Sequence, residues 1–202
     1  MLTVLGIGIL TGAYIVTTGV SARPKPSALE SLTARTVRGV AIRTRVRGVT
    51  NPVPATPDVI KEGMEHFADH CAACHGNDGS GDTEMGRGLY PRAPDMRQPA
   101  TQNLSDAELF YIIENGVRLT GMPAWSTGTK EGETSSWHLV HFIRHLPKLT
   151  DEEIAQMESL NPKSPEEVRQ EIEAEKFLQG GDVEPPQQTP APTTHEHSGA
   201  HR

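Results

Sequence analysis

The sequence predicts an all-α fold. Apolar residues recur every three or four positions in several segments, Ser or Thr with a Glu three positions later marks helix starts, and Pro or Asn-Gly marks helix ends. Of the 202 residues, 35% are hydrophobic and 4% aromatic, which is lean for one fully packed body. The 16 prolines and 19 glycines also indicate much chain outside a core. We therefore expect one small helical domain with long extensions.

The N-terminal segment, residues 1–21, carries no charged side chain and is rich in Leu, Ile, Val and Gly. As a helix rising about 1.5 Å per residue, it would just reach the thickness of a bilayer core. We predict a membrane segment that is an export signal, an uncleaved anchor or both. Small residues at Val20 and Ala22 would suit cleavage after Ala22, although a basic region before the apolar stretch is missing.

A basic segment and a proline-rich linker are predicted over residues 22–57. Residues 22–48 carry seven basic groups and Glu30 as their one acid, whereas the rest of the chain has 12 basic and 25 acidic residues. The positions at helical spacing are Leu29, Leu32, Thr33, Thr36, Val37 and Val40. They predict a surface helix against lipid headgroups or an anchor partner, or else a solvated linker helix. Three prolines between Asn51 and Pro57 end it.

The main domain is predicted over residues 58–149. Its first helix leads directly into the most informative motif of the chain. Its buried face consists of Ile60, Met64, Phe67 and Cys71. Gly63 lies on the buried side near Phe67, where the missing side chain would allow another helix to approach closely. The helix therefore delivers Cys71 at its end.

Two further helices complete the predicted domain. The last one covers residues 134–146 and stops at Pro147. Its apolar face comprises Leu139, Phe142, Ile143 and Leu146. Before it, Ser105 and Glu108 predict a capping box, and Asn115-Gly116 predicts the end of that middle helix.

The pentapeptide Cys71-Ala-Ala-Cys74-His75 carries the chemistry. Two thiols at this spacing can add to the two vinyl groups of a haem, and the adjacent histidine can bind its iron. The alternatives are a Cys71–Cys74 disulfide or a thioredoxin-type redox pair, but that pair follows a strand and does not require the histidine. We predict one covalently bound haem c with iron, whose apolar area would also complete the lean core.

A second axial ligand is expected from a methionine. Met122 lies in a loop between two helices, where it could cross to the far haem face. Met85 is close in sequence to the first ligand, Met96 is expected to fill the core, and Met64 belongs to a helix face. We predict Met122, with gap filling as the alternative. Thioether ligation would raise the redox potential because sulfur favours ferrous iron.

These motifs together resemble class I cytochromes c over about residues 58–149. They are Phe67 four residues before Cys71, the Cys71–Gly76 segment, Glu114-Asn115-Gly116, Gly121-Met122-Pro123-Ala124-Trp125, Trp137 and Phe142. The resemblance implies a cytochrome c-like helical haem domain in which the first and last helices cross beside the haem edge. It implies His75 and Met122 as the two metal ligands and a proline carbonyl that accepts a hydrogen bond from the proximal imidazole. Pro94 is the expected proline, and Pro91 competes with it.

The remaining histidines have spacings that could hold a metal. They are His138, His141 and His145 on the last helix, His66 and His70 on the first, and His195, His197 and His201 near the C-terminus. We favour solvated faces for the helical ones and a disordered tail for the others.

A helical extension is predicted over residues 150–178, followed by a disordered tail over 179–202. Thr150 with Glu153, and Ser164 with Glu167, predict the starts of two helices. These helices either wrap the main domain or dock a partner.

An iron with two protein ligands has no open position for substrate, so the predicted function is one-electron transfer and not catalysis. We expect an extracytoplasmic haem domain at the cell membrane, attached by the N-terminal segment. The basic residues after that segment favour the opposite orientation, but covalent haem attachment takes place outside the cytoplasm. The partners are a redox protein donor and acceptor, docking at the haem edge, and no nucleic acid. The acidic bulk favours a partner with a basic patch.

Several alternatives stay open from the sequence. The chain could be a cytochrome subunit of a dehydrogenase or respiratory complex, a haem peroxidase, or a haem-based gas sensor. A vacant sixth coordination site or ready binding of carbon monoxide would favour the last two.

Overall fold

The fold is all-α, as predicted, in a computed structural model that describes residues 2–18 and 21–179. The α-helices are α1 Leu2–Thr18, α2 Ala28–Arg45, α3 Pro57–His70, α4 Ala72–His75, α5 Glu84–Gly88, α6 Pro99–Gln102, α7 Asp106–Asn115, α8 Lys130–His145, α9 Asp151–Leu160 and α10 Pro165–Leu178. A short 3₁₀ helix, Leu146–Lys148, follows α8. The predicted tail from residue 180 onward, with its three histidines, lies outside the described residues, as does Val20 of the suggested cleavage site.

The chain divides after Asn161 into two compact units. The first unit contains α1 to α9. The second contains α10, whose capping box joins Ser164 and Glu167. Within the part of the chain that the structure describes, no helix has both the length and the apolar character needed to cross a membrane; α1 has 17 residues.

The crossing of α3 and α8 forms the centre of the first unit. A Cβ atom on Gly63 would clash with the carbonyl oxygen of His138 in α8, which confirms the predicted close approach. The rings of Phe67 and Phe142 pack 5.1 Å apart at this crossing, and both side chains are buried. Most of the apolar core lies along these two helices.

Helix α8 begins four residues earlier than predicted, at Lys130 instead of 134. The Thr129 hydroxyl accepts a hydrogen bond from the amide of Gly132 at 3.1 Å and caps the helix start. Gly132, a residue of low helix propensity, obscured this start in the sequence.

The capping predictions for α7 and α9 are confirmed. Ser105 and Glu108 form a capping box at α7, and Thr150 and Glu153 form one at α9. Helix α9 packs against α3 and buries Met157 completely. The first part of the predicted extension therefore wraps the main helices.

The histidines of α8 do not line a solvated face, so that prediction is wrong. Their neighbours are Glu62 for His138 at 2.9 Å, the Val53 carbonyl oxygen for His141 at 2.8 Å, and Glu153 for His145 at 2.9 Å. All three side chains are half-buried. They connect α8 to α3, to the linker before α3 and to α9, because a helix face beside the apolar stripe still meets its neighbours.

Candidate haem site

The two cysteines and the histidine lie on one tight turn. Cys71 closes α3 through its amide, which donates to the Phe67 carbonyl oxygen at 2.8 Å. The Cys71 carbonyl oxygen in turn accepts from the amides of Cys74 at 3.2 Å and His75 at 3.0 Å. Since Phe67 is buried in the α3–α8 core, the turn is attached directly to that core. All three side chains are partly buried.

The thiols of Cys71 and Cys74 are free, so the structure contains no disulfide between them. Burial, followed by the proximity of Cys74 and Asp69, raises the pKa of the Cys71 thiol to about 12. Redox-active cysteines have a lowered pKa instead. This environment disfavours a thioredoxin-type pair and leaves both thiols available for thioether bonds.

The two ring nitrogens of His75 have different surroundings. Nδ1 is fully buried and makes no hydrogen bond of good geometry among the described residues. Burial lowers the pKa of His75, and the nearby Pro94 carbonyl raises it by a smaller amount. No described residue hydrogen-bonds Nε2. A neutral imidazole with Nδ1 directed at a carbonyl and Nε2 unengaged has the arrangement of a metal-ligating histidine.

Pro94 is held in place by a clamp of three charged residues. Arg97 bonds Asp95 through two nitrogens, with Nε–Oδ1 at 2.9 Å and Nη2–Oδ2 at 3.0 Å, and reaches Asp78 with Nη1–Oδ2 at 3.0 Å. Hydrogen bonds from Arg97 lower the pKa of Asp95 to about 2. The clamp joins the loop after His75 to the loop that contains Pro94.

Close backbone packing reinforces the clamp. The Met96 amide donates to the Gly79 carbonyl oxygen at 2.8 Å. A Cβ atom on Gly81 would lie only 2.5 Å from the Ala93 carbonyl oxygen, and Gly81 has a φ of +72°. Glycine is needed here because any side chain would separate the two loops.

Met122 lies in a separate loop that follows α7. Its carbonyl oxygen accepts from the Val117 amide at 3.0 Å, and the Trp125 amide donates to Ile113 at 3.0 Å. The thioether side chain is half-buried. The loop touches the chain after α5, since a Cβ on Gly121 would lie 2.5 Å from Leu89.

Met64 and Met96 are placed as expected, whereas Met85, predicted to lie in a loop, belongs to α5. Met64 and Met96 are buried in the core, and Met85 is exposed. The structure thus brings Cys71, Cys74, His75 and Pro94 together, and it holds Met122 on a different scaffold.

A family comparison bears directly on this turn and these helices. The family model "Cytochrome C oxidase, cbb3-type, subunit III" matches residues 58–143. The chain contains a c-type cytochrome domain. The match runs from the start of α3 to α8 and so includes the cysteine turn, the Pro94 loop and the Met122 loop.

Three relatives of this cytochrome are subunits of cbb3-type oxidases by name. The FixPc subunit of Rhizobium leguminosarum bv. viciae is 32% identical over 101 residues, which is 50% of this chain and 32% of the relative. FixP of Sinorhizobium medicae strain WSM419 is 48% identical over 73 residues, covering 36% of this chain and 23% of that protein. FixP of Rhizobium meliloti strain 1021 is 48% identical over 94 residues, covering 46% and 29%. The chain thus spans a third or less of the length of these relatives.

The c-type cytochrome family implies haem c with iron, and the residues of this domain fit that group. The supporting observations are two free thiols on one turn and a histidine whose Nδ1 is buried beside a carbonyl while Nε2 has no partner. This donor set, two thiols and one imidazole, matches covalent attachment and axial ligation.

Sequence reasoning missed a buried polar pair that holds the Met122 loop. Ser136 donates to a Glu114 carboxylate oxygen at 2.6 Å, and both side chains are buried. The Glu114 carbonyl oxygen also accepts from the Ser126 amide at 3.2 Å. The Asn-Gly motif after Glu114 indicated a helix end, but nothing in the sequence pattern paired Glu114 with α8.

Proposed function

We propose that this cytochrome is a one-electron carrier with one covalently bound haem c. Cys71 and Cys74 would hold the haem through thioether bonds, and His75 and Met122 would bind its iron. The observation that carries the proposal is the environment of His75, whose Nδ1 is buried beside the Pro94 carbonyl while Nε2 is unengaged on the cysteine turn. When bound, haem c supplies reversible one-electron exchange at its iron.

The residues of the domain serve attachment, orientation and tuning, so we propose no catalytic residue. With haem bound, the Pro94 carbonyl beside Nδ1 would accept its proton, which would fix the His75 ring and increase the basicity of Nε2. Met122 would supply the second iron ligand, and its thioether would raise the potential. With both positions filled, there is no open site for peroxide or a diatomic gas.

For cellular context, we propose an extracytoplasmic domain at the membrane that passes electrons between redox proteins, as a subunit of a respiratory complex. The names of the three relatives support the complex. Helix α1 exposes apolar side chains such as Leu5, Leu10 and Val16, which supports membrane attachment by residues 1–21. We propose residues 58–149 as the haem domain, flanked by the basic segment with its linker (22–57) and the extension (150–178).

Covalent attachment is tested by producing the full chain together with haem c maturation machinery. We expect haem to remain on the denatured polypeptide, with a reduced pyridine spectrum typical of two thioether bonds. The Cys74→Ser variant should give the spectrum of a single thioether, or lose the haem, whereas Ser80→Ala should behave as wild type. A colourless wild-type chain would overturn the proposal.

A further inference from the structure

Helix α2 exposes an apolar face, defined here as the α2 stripe. Its members and exposed fractions are Leu29 at 74%, Leu32 at 65%, Val37 at 64% and Val40 at 60%. Single exposed apolar residues are common on protein surfaces, but four on one helix form an exposed apolar patch. We therefore expect another surface to cover the α2 stripe.

Val37 and Val40 of the α2 stripe face away from the cytochrome domain. Helix α2 contacts α7 through the buried Ile42, and Arg43 bonds Glu108 at 3.1 Å. With 3.6 residues per turn, Val37 and Val40 lie on the side of the helix opposite Ile42. The contact with the domain thus fixes which way the stripe points.

The side of α2 that carries Ile42 is positively charged with little compensation, and Arg35 and Arg38 line a cavity there together with Glu108. Of its four arginines, Arg43 alone is paired with a carboxylate in the part of the chain that the structure describes. Glu30, the one acidic residue of α2, accepts a hydrogen bond from the Tyr90 hydroxyl at 2.6 Å. Burial and the neighbouring Arg35 lower the pKa of Arg38. The helix thus combines an exposed apolar side with unpaired arginines.

We propose that α2 lies on an anionic lipid surface, with the α2 stripe in the boundary between headgroups and acyl chains. Such helices have apolar residues on one side and Lys or Arg on the other. The helix is about 10 Å wide, close to the Debye length, so charges on its far side still attract an anionic membrane. The single sign of charge and the adjoining uncharged α1 favour lipid over a protein partner.

This inference deepens the membrane location proposed above. Residues 1–21 would attach the protein to the membrane, and α2 would make a second membrane contact that orients the haem domain. Because Glu108 of the cytochrome domain holds Arg43, the lipid contact would fix the direction in which the haem domain faces.

Nitroxide labels on the full-length holoprotein test the contact. Val40→Cys places a label on the stripe, and Ala34→Cys places one on an exposed position of the other side of α2. With Cys71 and Cys74 bonded to haem, each variant has one reactive thiol. Both are added to phosphatidylcholine vesicles with and without phosphatidylglycerol, and collisions with oxygen and with a water-soluble nickel complex are measured.

On vesicles with phosphatidylglycerol, we expect nickel collisions to fall severalfold at position 40 and to stay unchanged at position 34. Adding Arg35→Gln and Arg38→Gln should restore nickel access at position 40, since each arginine contributes to binding an anionic surface. Adding Arg92→Gln together with Lys148→Gln, which removes the same two positive charges from the haem domain, should not.

Water access at both positions on vesicles that carry the protein would overturn the inference and leave attachment by residues 1–21 intact. Protein that does not bind vesicles at all would overturn both. Protection of position 40 without lipid that grows with protein concentration would assign the stripe to a second copy. Protection that needs native membranes would assign it to a protein partner. Each of these two results would also overturn the inference.

Discussion

The two sides of the candidate haem site are built differently. The cysteine turn continues from α3, whose buried face packs against α8, and the Arg97 clamp fixes the loop that faces His75. The Met122 loop is joined to α7 mainly by backbone hydrogen bonds. Near its tip, Leu119 is 92% exposed and has a φ of +62°. One side is therefore part of the core, and the other, called the arm (residues 117–125), is a surface loop.

This difference predicts how substitutions divide between the two sides. Changes at the turn should affect stability and haem attachment. Changes at the arm should mainly affect the axial thioether and the potential.

The largest effect is expected from Phe67→Ala. Phe67 is 1% exposed and contacts Phe142, so its removal leaves a large cavity beside the cysteine turn. The free energy of unfolding should fall by about 3–5 kcal/mol. Leu119→Ala, on the exposed arm, should change it by less than about 0.5 kcal/mol. Guanidinium unfolding of the holoproteins measures both, and equal losses would remove the distinction between the two sides.

An intermediate effect is expected from Ser136→Ala. It leaves the buried Glu114 carboxylate without its 2.6 Å hydroxyl donor. The loss should be about 1–3 kcal/mol, with faster hydrogen exchange at the Trp125 and Ser126 amides. Ser135→Ala is the matched control, because its hydroxyl bonds only to the Glu131 carbonyl of the same helix. Unchanged exchange at the two amides would show that Glu114 does not hold the arm.

A smaller change in stability, about 1 kcal/mol, is expected from Arg97→Lys, because lysine cannot bond Asp95 through two nitrogens. The Pro94 carbonyl would then orient His75 less firmly and make it a less basic ligand, which favours ferrous iron. The midpoint potential should therefore rise, as redox titration would show. Arg92→Lys serves as the control. A fall in potential, or none, would contradict this role of the clamp.

The smallest effect concerns Asp95 at low pH. Its pKa is lowered from 3.8 to about 2, so its ion pair stabilises the fold above the ordinary pKa and is lost as the pH falls through about 2. Solvent screening limits the contribution to on the order of 1 kcal/mol. Unfolding measured from neutral to acidic pH should show Asp95→Asn losing less stability than wild type in this range. Identical pH profiles would contradict the assignment.

The helices and their caps were predictable because the signals are local. Gly63 marked the helix crossing, and Ser105 with Glu108 marked the start of α7, since spacing along the chain determines both. The start of α8 was missed because the Thr129 cap contains a glycine three residues later.

Side-chain partners across the fold were not predictable. Nothing in the order of residues links Glu114 to Ser136 or Arg97 to Asp78, because these pairs depend on how loops meet in three dimensions. The α8 histidines show the same limit, since helical spacing located them beside the apolar stripe but did not reveal the elements that contact them.

The optical spectrum of the oxidised full chain tests the central proposal, axial ligation by His75 and Met122, most directly. We predict a sulfur-to-iron charge-transfer band that Met122→Leu abolishes and that Met85→Leu, an exposed methionine elsewhere, preserves. The reduced wild type should not bind carbon monoxide. A wild-type spectrum without the band, or ready binding of carbon monoxide, would contradict ligation by Met122.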